Sequence, residues 1–347
     1  MNQNNSNDSI VLLAKKNGPT SFSSLHIIKK ALGTTKVGHT GTLDSFAQGL
    51  LVVCTGRLTK LAGNITEFDK TYEAILKFGS ETDTLEYTGK IVKKTALPSI
   101  EQFQNAIKSF LGESLQAPPA FSAIHINGKR ASDLARSGNV VEIPKRKITV
   151  YAAEISETVC NSNNQVEYAK ITFKVSKGTY IRCLARDIAY KCGSSAHLIG
   201  LYRTQVGNFS IKNAAGYSEL ADFSIENARK NLKKYEEDKS KTDINESLNK
   251  KAKISDDEKL KQEILEKKKD FDPQTANLCG FEVINIINKN DEFAFKNGKP
   301  LRSAMFNKNL KEIKNDSLCA VFSSENIFLG LIFKNNEGRI SYKFVLS

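Results

Sequence analysis

Residues 226–272 constrain the fold of this chain more than any other stretch. They hold 14 Lys/Arg and 13 Asp/Glu, more than half of the segment, and only two aromatics, Tyr235 and Phe271. Such a composition cannot bury enough apolar surface to offset the entropy of ordering its own backbone. The part spanning 245–253 offers no continuous apolar face, whereas 226–237 and 256–269 can form solvent-exposed helices. The 347 residues are therefore expected to fold as two blocks, 10–225 and 273–347. Between them 226–272 serves as a charged linker or insertion, partly helical or disordered.

The net charge of +13 sits mainly in those two blocks. Residues 1–225 carry 27 Lys/Arg against 18 Asp/Glu and residues 273–347 carry 10 against 7, while 226–272 is nearly neutral. A positive excess on folded surface suits a phosphate-backbone partner and equally suits plain solubility, so charge alone decides nothing. The six cysteines are scattered without a C-x-x-C pair and the four histidines are equally dispersed, a pattern of buried thiols in a reducing compartment with no sequence-local zinc site. The polar start lacks a signal-peptide pattern, and no apolar run approaches the ~20 residues of a membrane span. A cytoplasmic protein is expected.

Within the first block, strands are expected at 10–13, 50–54, 71–78, 148–157, 166–175 and 197–206. Helices are expected at 21–32 (apolar at Phe22, Leu25, Ile28 and Leu32), 58–65, 100–111, 132–136 and 180–190. Strands dominate and connections are short, so an α+β fold on a mixed or antiparallel sheet follows. The second block returns to apolar runs from Phe281 onward, broken by turn signals at Asn297-Gly298, Asn335-Asn336 and Glu337-Gly338, and reads as a small β-rich unit.

The chemistry-bearing stretch is 38–59, GHTGTLDSFAQGLLVVCTGRLT. One carboxylate, Asp44, stands in a loop of glycines and hydroxyl residues directly before the apolar run 50–54, a placement suited to meeting a substrate. The overlapping GTTKVGHT of 33–40 is a near-match to a phosphate-binding P-loop, but His39 occupies the lysine position. A helix precedes these glycines and a strand follows them, the reverse of a P-loop. Nucleotide hydrolysis is set aside on both counts.

The 38–59 stretch resembles, nearly residue for residue, the catalytic motif of the TruB-type tRNA pseudouridine synthases, G-H-T-G-(A/T)-L-D-P-x-A-x-G-(V/L)-L, with Ser45 in place of proline. Further matches follow in order: Lys70-Thr71-Tyr72, Thr82-Asp83-Thr84, then 116–123 (QAPPAFSA) with 128–130 and 135–138. Finally come 177–182 (KGTYIR) and 193–201 (GSSAHLIGL). His125 stands where the family has lysine and Ser132 where it has an aromatic. The resemblance covers roughly 10–215, and the second block, through 297–301 (NGKPL) and 328–332 (FLGLI), resembles a PUA-type RNA-binding module.

That resemblance implies a pseudouridine synthase-like α+β catalytic domain acting on the uridine at position 55 in the T loop of tRNA. Moving uracil from N1 to C5 breaks a glycosidic bond and forms a carbon–carbon bond. A carboxylate can assist as a nucleophile at sugar or base, or by removing a sugar proton. The resemblance makes Asp44 that carboxylate and Arg182 its partner, the charge that offsets desolvation and can grip both oxygens. It makes Tyr72 the ring that stacks on the extruded uracil, with Tyr180, Leu201 and His39 as substrate contacts. Neither metal nor organic cofactor is implied, the partner is the T arm of tRNA, and no obligatory protein partner is evident. An RNA-folding chaperone, or a synthase serving another RNA site, is the alternative.

Overall fold

The computed structural model describes residues 7–122, 124–126, 128–137, 143–241 and 258–346. The polar tip, Ala123 and Gly138 of the matched motifs, and the 245–253 stretch fall outside the described residues, the tip in its first six positions.

A ten-stranded mixed sheet forms the body of the molecule. Its main path runs Lys269–Asp270, Ser9–Lys15, Gln48–Thr55, Ala196–Val206, Lys70–Phe78, Val166–Val175, Arg146–Cys160 and Gly112–Gln116. Neighbours are antiparallel except Gln48–Thr55 with Ala196–Val206, where Gly49 pairs with Arg203. Gly49 has φ +123°, and a Cβ there would collide with the backbone O and N of Arg203. Glycine is what allows this parallel contact.

The unbroken apolar runs at 10–13 and 50–54 are explained by burial on both faces. Val11, Leu13, Leu51 and Val53 meet Leu25, Ile27 and Ile28 of helix Leu25–Leu32 on one side. On the other, Ile10, Leu12, Leu50, Val52 and Cys54 share a core with Phe271, Phe281, Phe322 and Phe328. Helices Ile100–Lys108 and Ile181–Lys191 cover the Lys70–Phe78 and Val166–Val175 strands with Phe103, Ile107, Leu184 and Ile188. The second sheet, Glu282–Asn285, Ser317–Phe322, Phe328–Lys334 and Ile340–Val345, is the β-rich C-terminal unit, with helix Lys289–Lys296 inserted between its first two strands. The Asn297-Gly298 signal closes that helix, not a hairpin.

Four expectations shift. Helix 21–32 begins at Leu25, because the Ser21 hydroxyl is engaged elsewhere and 20–24 forms a turn; Phe22 is 74% exposed, not on the buried face. Helix 100–111 stops at Lys108 and leaves Leu111 exposed. The 58–65 helix is a 3-10 turn over Gly56–Leu61 followed by Ala62–Thr66. The described flanks of 226–272 are not a solvated linker. Helix Ile225–Lys241 buries Ile225, Ala228 and Leu232 against Ile75 and Ile199. Helix Glu258–Lys267 buries Ile264 completely and packs on Leu25–Leu32. A fully buried isoleucine contributes about 1.5–3 kcal/mol, enough to dock a helix whose other faces are charged. Among the described residues no helix is long and apolar enough to cross a membrane.

Candidate active site

The Asp44 loop is shaped by backbone contacts to buried side chains. The Ser21 hydroxyl donates to Leu43 O (3.0 Å) and accepts from Leu43 N (2.8 Å). Lys15, 1% exposed, donates from Nζ to the carbonyls of Ala47 (2.6 Å), Asp44 (3.1 Å), Ser45 (3.3 Å) and Lys16 (3.1 Å). Burial pushes the Lys15 ammonium down to about 7, against the opposing pull of Asp44 and with the help of Arg203. Arg203, 2% exposed, holds the loop's other limb through Leu50 O (2.8 Å), Gly41 O (3.1 Å) and Thr42 O (3.4 Å). Ser45, where the family motif has proline, gives its carbonyl to Gly18 N at 2.8 Å.

Asp44 and Arg182, far apart in sequence, meet in the wall of a cavity of about 430 Å³. Arg182 enters from the first turn of helix Ile181–Lys191 and is buried, while a third of the Asp44 side chain stays open. Nη2 donates to Asp44 Oδ1 at 3.0 Å. Nε lies 3.0 Å from Oδ2, but off the hydrogen-bond line, so this N–H is buried without a partner. Nη1 donates to Thr84 O (2.9 Å) and Nη2 also to Phe121 O (3.0 Å). Both carbonyls belong to segments matched in the sequence, which explains why those motifs sit where they do.

Tyr72, Tyr180 and Leu201 line the same cavity, with Lys70 and Arg203. Tyr72 stands on the Lys70–Phe78 strand between Phe173 and Arg203 on the neighbouring strands. Tyr180 caps helix Ile181–Lys191; its N–H donates to Gln116 Oε1 (2.8 Å), its carbonyl accepts from Gln116 Nε2 (3.1 Å), and the Arg146 guanidinium lies 5.1 Å from the ring centre. His39 stands apart from these five: it is not among the lining residues and its Nδ1 accepts from Gly41 N (3.3 Å). Burial and Arg203 lower its basicity, so it is neutral at physiological pH.

Sequence reasoning missed the cations. Lys15, Lys70 and Arg203 are all buried and all bonded to backbone carbonyls, Lys70 to Thr66 O and Phe68 O at 2.5 Å each. Among the described lining residues only Asp44 carries negative charge, so the cavity favours an anionic or strongly polarised ligand. Glu86 was missed as well. It accepts from Thr88 Oγ1 at 2.7 Å through one oxygen, while its other oxygen is buried without a partner. Burial lifts its carboxyl to about 7.

Residues 29–181 match the family model described as TruB family pseudouridylate synthase, N-terminal domain. A Treponema denticola protein named tRNA pseudouridine synthase B is 48% identical over 229 residues, 62% of this chain and 64% of that relative's length. The Borreliella burgdorferi protein of the same name is 45% identical over 216 residues, 62% of this chain and 75% of the relative. Two solved structures share the fold at low identity. An H/ACA RNP bound to a substrate RNA containing 2'-deoxyuridine covers 99% of this chain and 86% of its own, at 19% identity and TM-score 0.62. A Cbf5–Nop10–Gar1 complex covers 98% and 85%, at 21% identity and TM-score 0.61.

Proposed function

Since the chain belongs to the TruB family of pseudouridylate synthases, we propose that it isomerises uridine to pseudouridine at position 55 in the T loop of tRNA. The observation that carries this reading is the Asp44 carboxylate held against the buried Arg182 guanidinium at the wall of a cavity that Tyr72 also lines. An extruded uridine entering there meets a carboxylate already desolvated on one side and oriented by a fixed cation, which needs no reorganisation during reaction.

In this reading Asp44 is the catalytic carboxylate, and Arg182 holds it and excludes water from its inner oxygens. Tyr72 offers its ring to the base, where stacking contributes ~1–3 kcal/mol toward extrusion. Tyr180 and Leu201 close the sides, and His39, at the end of strand Val37–His39 and outside the cavity lining, is a further substrate contact. Lys15, Ser21 and Arg203 keep the Asp44 loop in shape, and of the three Arg203 also faces the cavity. The division into a catalytic block (10–225) and an RNA-gripping block (273–347) belongs to the same proposal, with the described helices of 226–272 serving the catalytic block on which they pack.

The test is release of tritium from C5-tritiated uridine in a T-arm transcript by the full chain, beside tRNA binding measured on filters. Parent activity that disappears in Asp44→Asn, with affinity retained, supports the assignment. Equal tritium release by parent and variant removes it, and release that persists when the position-55 uridine is replaced moves the target elsewhere in the RNA.

A further inference from the structure

Helix Ile225–Lys241 lies far from the Asp44 loop in sequence, yet Tyr235 on it is linked to both partners of the Asp44–Arg182 pair through short chains of contacts. Its hydroxyl donates to Thr88 O at 3.0 Å. Its ring meets Tyr87 edge to face, centroids 5.4 Å apart, and Tyr87 meets Phe46 edge to face at 6.0 Å. Phe46 lies two residues beyond Asp44 in the same loop and is buried.

The segment that Tyr235 grips is a tight strap. Thr82 Oγ1 donates to Glu86 O (2.7 Å), Leu85 N to Thr82 O (3.0 Å), and Tyr87 N to Leu198 O (2.9 Å). Leu85 holds φ +61°, a left-handed conformation costly for leucine, which persists only where surroundings over-determine it. Within this strap Thr84 supplies the carbonyl that fixes Arg182 Nη1. Glu86 keeps one oxygen buried and unpartnered, a desolvated charge-bearing group that loosening of the strap would hydrate.

We propose that Tyr235 is a positioning residue for the Asp44–Arg182 pair, and that helix Ile225–Lys241 is part of the catalytic apparatus. The charged stretch would thus brace the strap from behind through one hydrogen bond and the Tyr87–Phe46 ring contacts. Tyr235 does not line the cavity, so its action is on the geometry of the pair and not on the substrate. This inference rests on the synthase reading above.

The test compares Tyr235→Phe and Tyr235→Ala with the parent under single-turnover conditions, recording rate, tRNA affinity and thermal midpoint. Tyr235→Phe keeps the ring and removes the hydroxyl with its bond to Thr88 O. It is expected to slow the chemical step roughly three- to tenfold, the range of one lost hydrogen bond, with affinity unchanged and the midpoint lowered by at most a few degrees, so that the variant stays folded in the assay. Tyr235→Ala, which also loses the ring contacts, should be slower than the phenylalanine variant at equal affinity. Parent-like rates in both variants overturn the inference, and so does a loss of rate matched by an equal loss of affinity or explained by an unfolded fraction. An inactive parent would overturn the synthase reading instead, so the two failures are separable.

Discussion

Replacing Glu86 by glutamine should make the protein more stable, and only above a definite pH. The Glu86 carboxyl titrates at about 7 in the folded chain against 4.5 for the free group, chiefly through burial. The Thr88 hydroxyl and Arg182 pull it down and the Asp44 charge pushes it up. The folded value lies above the unfolded one, so the native state binds the extra proton between about 4.5 and 7. Stability therefore falls as pH rises through that window. The gap between 4.5 and about 7 is worth about 3 kcal/mol, a large part of a typical folding free energy. Glutamine carries no charge at any pH, so the difference Glu86→Gln minus parent should grow by about 3 kcal/mol from pH 4.5 to pH 8. Urea unfolding at pH 5, 6, 7 and 8 measures it. His197, lowered to about 4, and Lys15 titrate in both proteins and cancel from the difference. A difference that stays flat to within ~0.5 kcal/mol across that range would refute the argument. So would a carboxyl titration by carbon-13 NMR that finds Glu86 at its free value.

Other perturbations read the remaining parts of the site. Asp44→Asn should lower the single-turnover rate by about 10²–10⁴-fold at unchanged tRNA affinity, measured by tritium release and filter binding. Lys15→Met takes the Lys15 donor from the Ala47 carbonyl in a buried site, a loss of ~1–3 kcal/mol, while Asp44 O and Ser45 O keep the N–H groups of Ala47 and Gly18; a lower thermal midpoint with reduced rate is expected, and an unchanged midpoint counts against the clamp. Tyr72→Phe should retain most activity if the ring acts by stacking, whereas Tyr72→Leu should lose far more rate than affinity. Gly49→Ala should fail to accumulate as folded protein, because its Cβ collides with the Arg203 backbone; normal yield and melting would show that the parallel contact yields easily.

How much the sequence reveals depends on what each residue touches. The strands around Leu12 and Leu51 are legible because double burial writes itself as an unbroken apolar run. Asp44 and Arg182 are legible only through the motifs that contain them, since no spacing rule joins positions so far apart. Lys15, Arg203 and Ser21 stay hidden because their partners are backbone carbonyls and amides, which leave no mark in side-chain patterns. The helix over 226–237 is legible, but the buried face of Ile225–Lys241 hides for another reason. Its stripe of Ile225, Ala228 and Leu232 is spaced correctly, but charge elsewhere on the helix dilutes it below notice.

The carbonyl oxygens gathered around Lys15 Nζ have the composition of an alkali-cation site, with an ammonium on a tether in place of the ion. A free ion would come and go with the salt concentration; a tethered one stays in place at any salt, and its charge follows pH around 7 instead. The shape of the Asp44 loop is thereby uncoupled from ionic strength, while association with a polyanion remains strongly salt-dependent through counterion release. Raising salt should consequently weaken RNA capture steeply and leave the rate of the bound complex almost untouched.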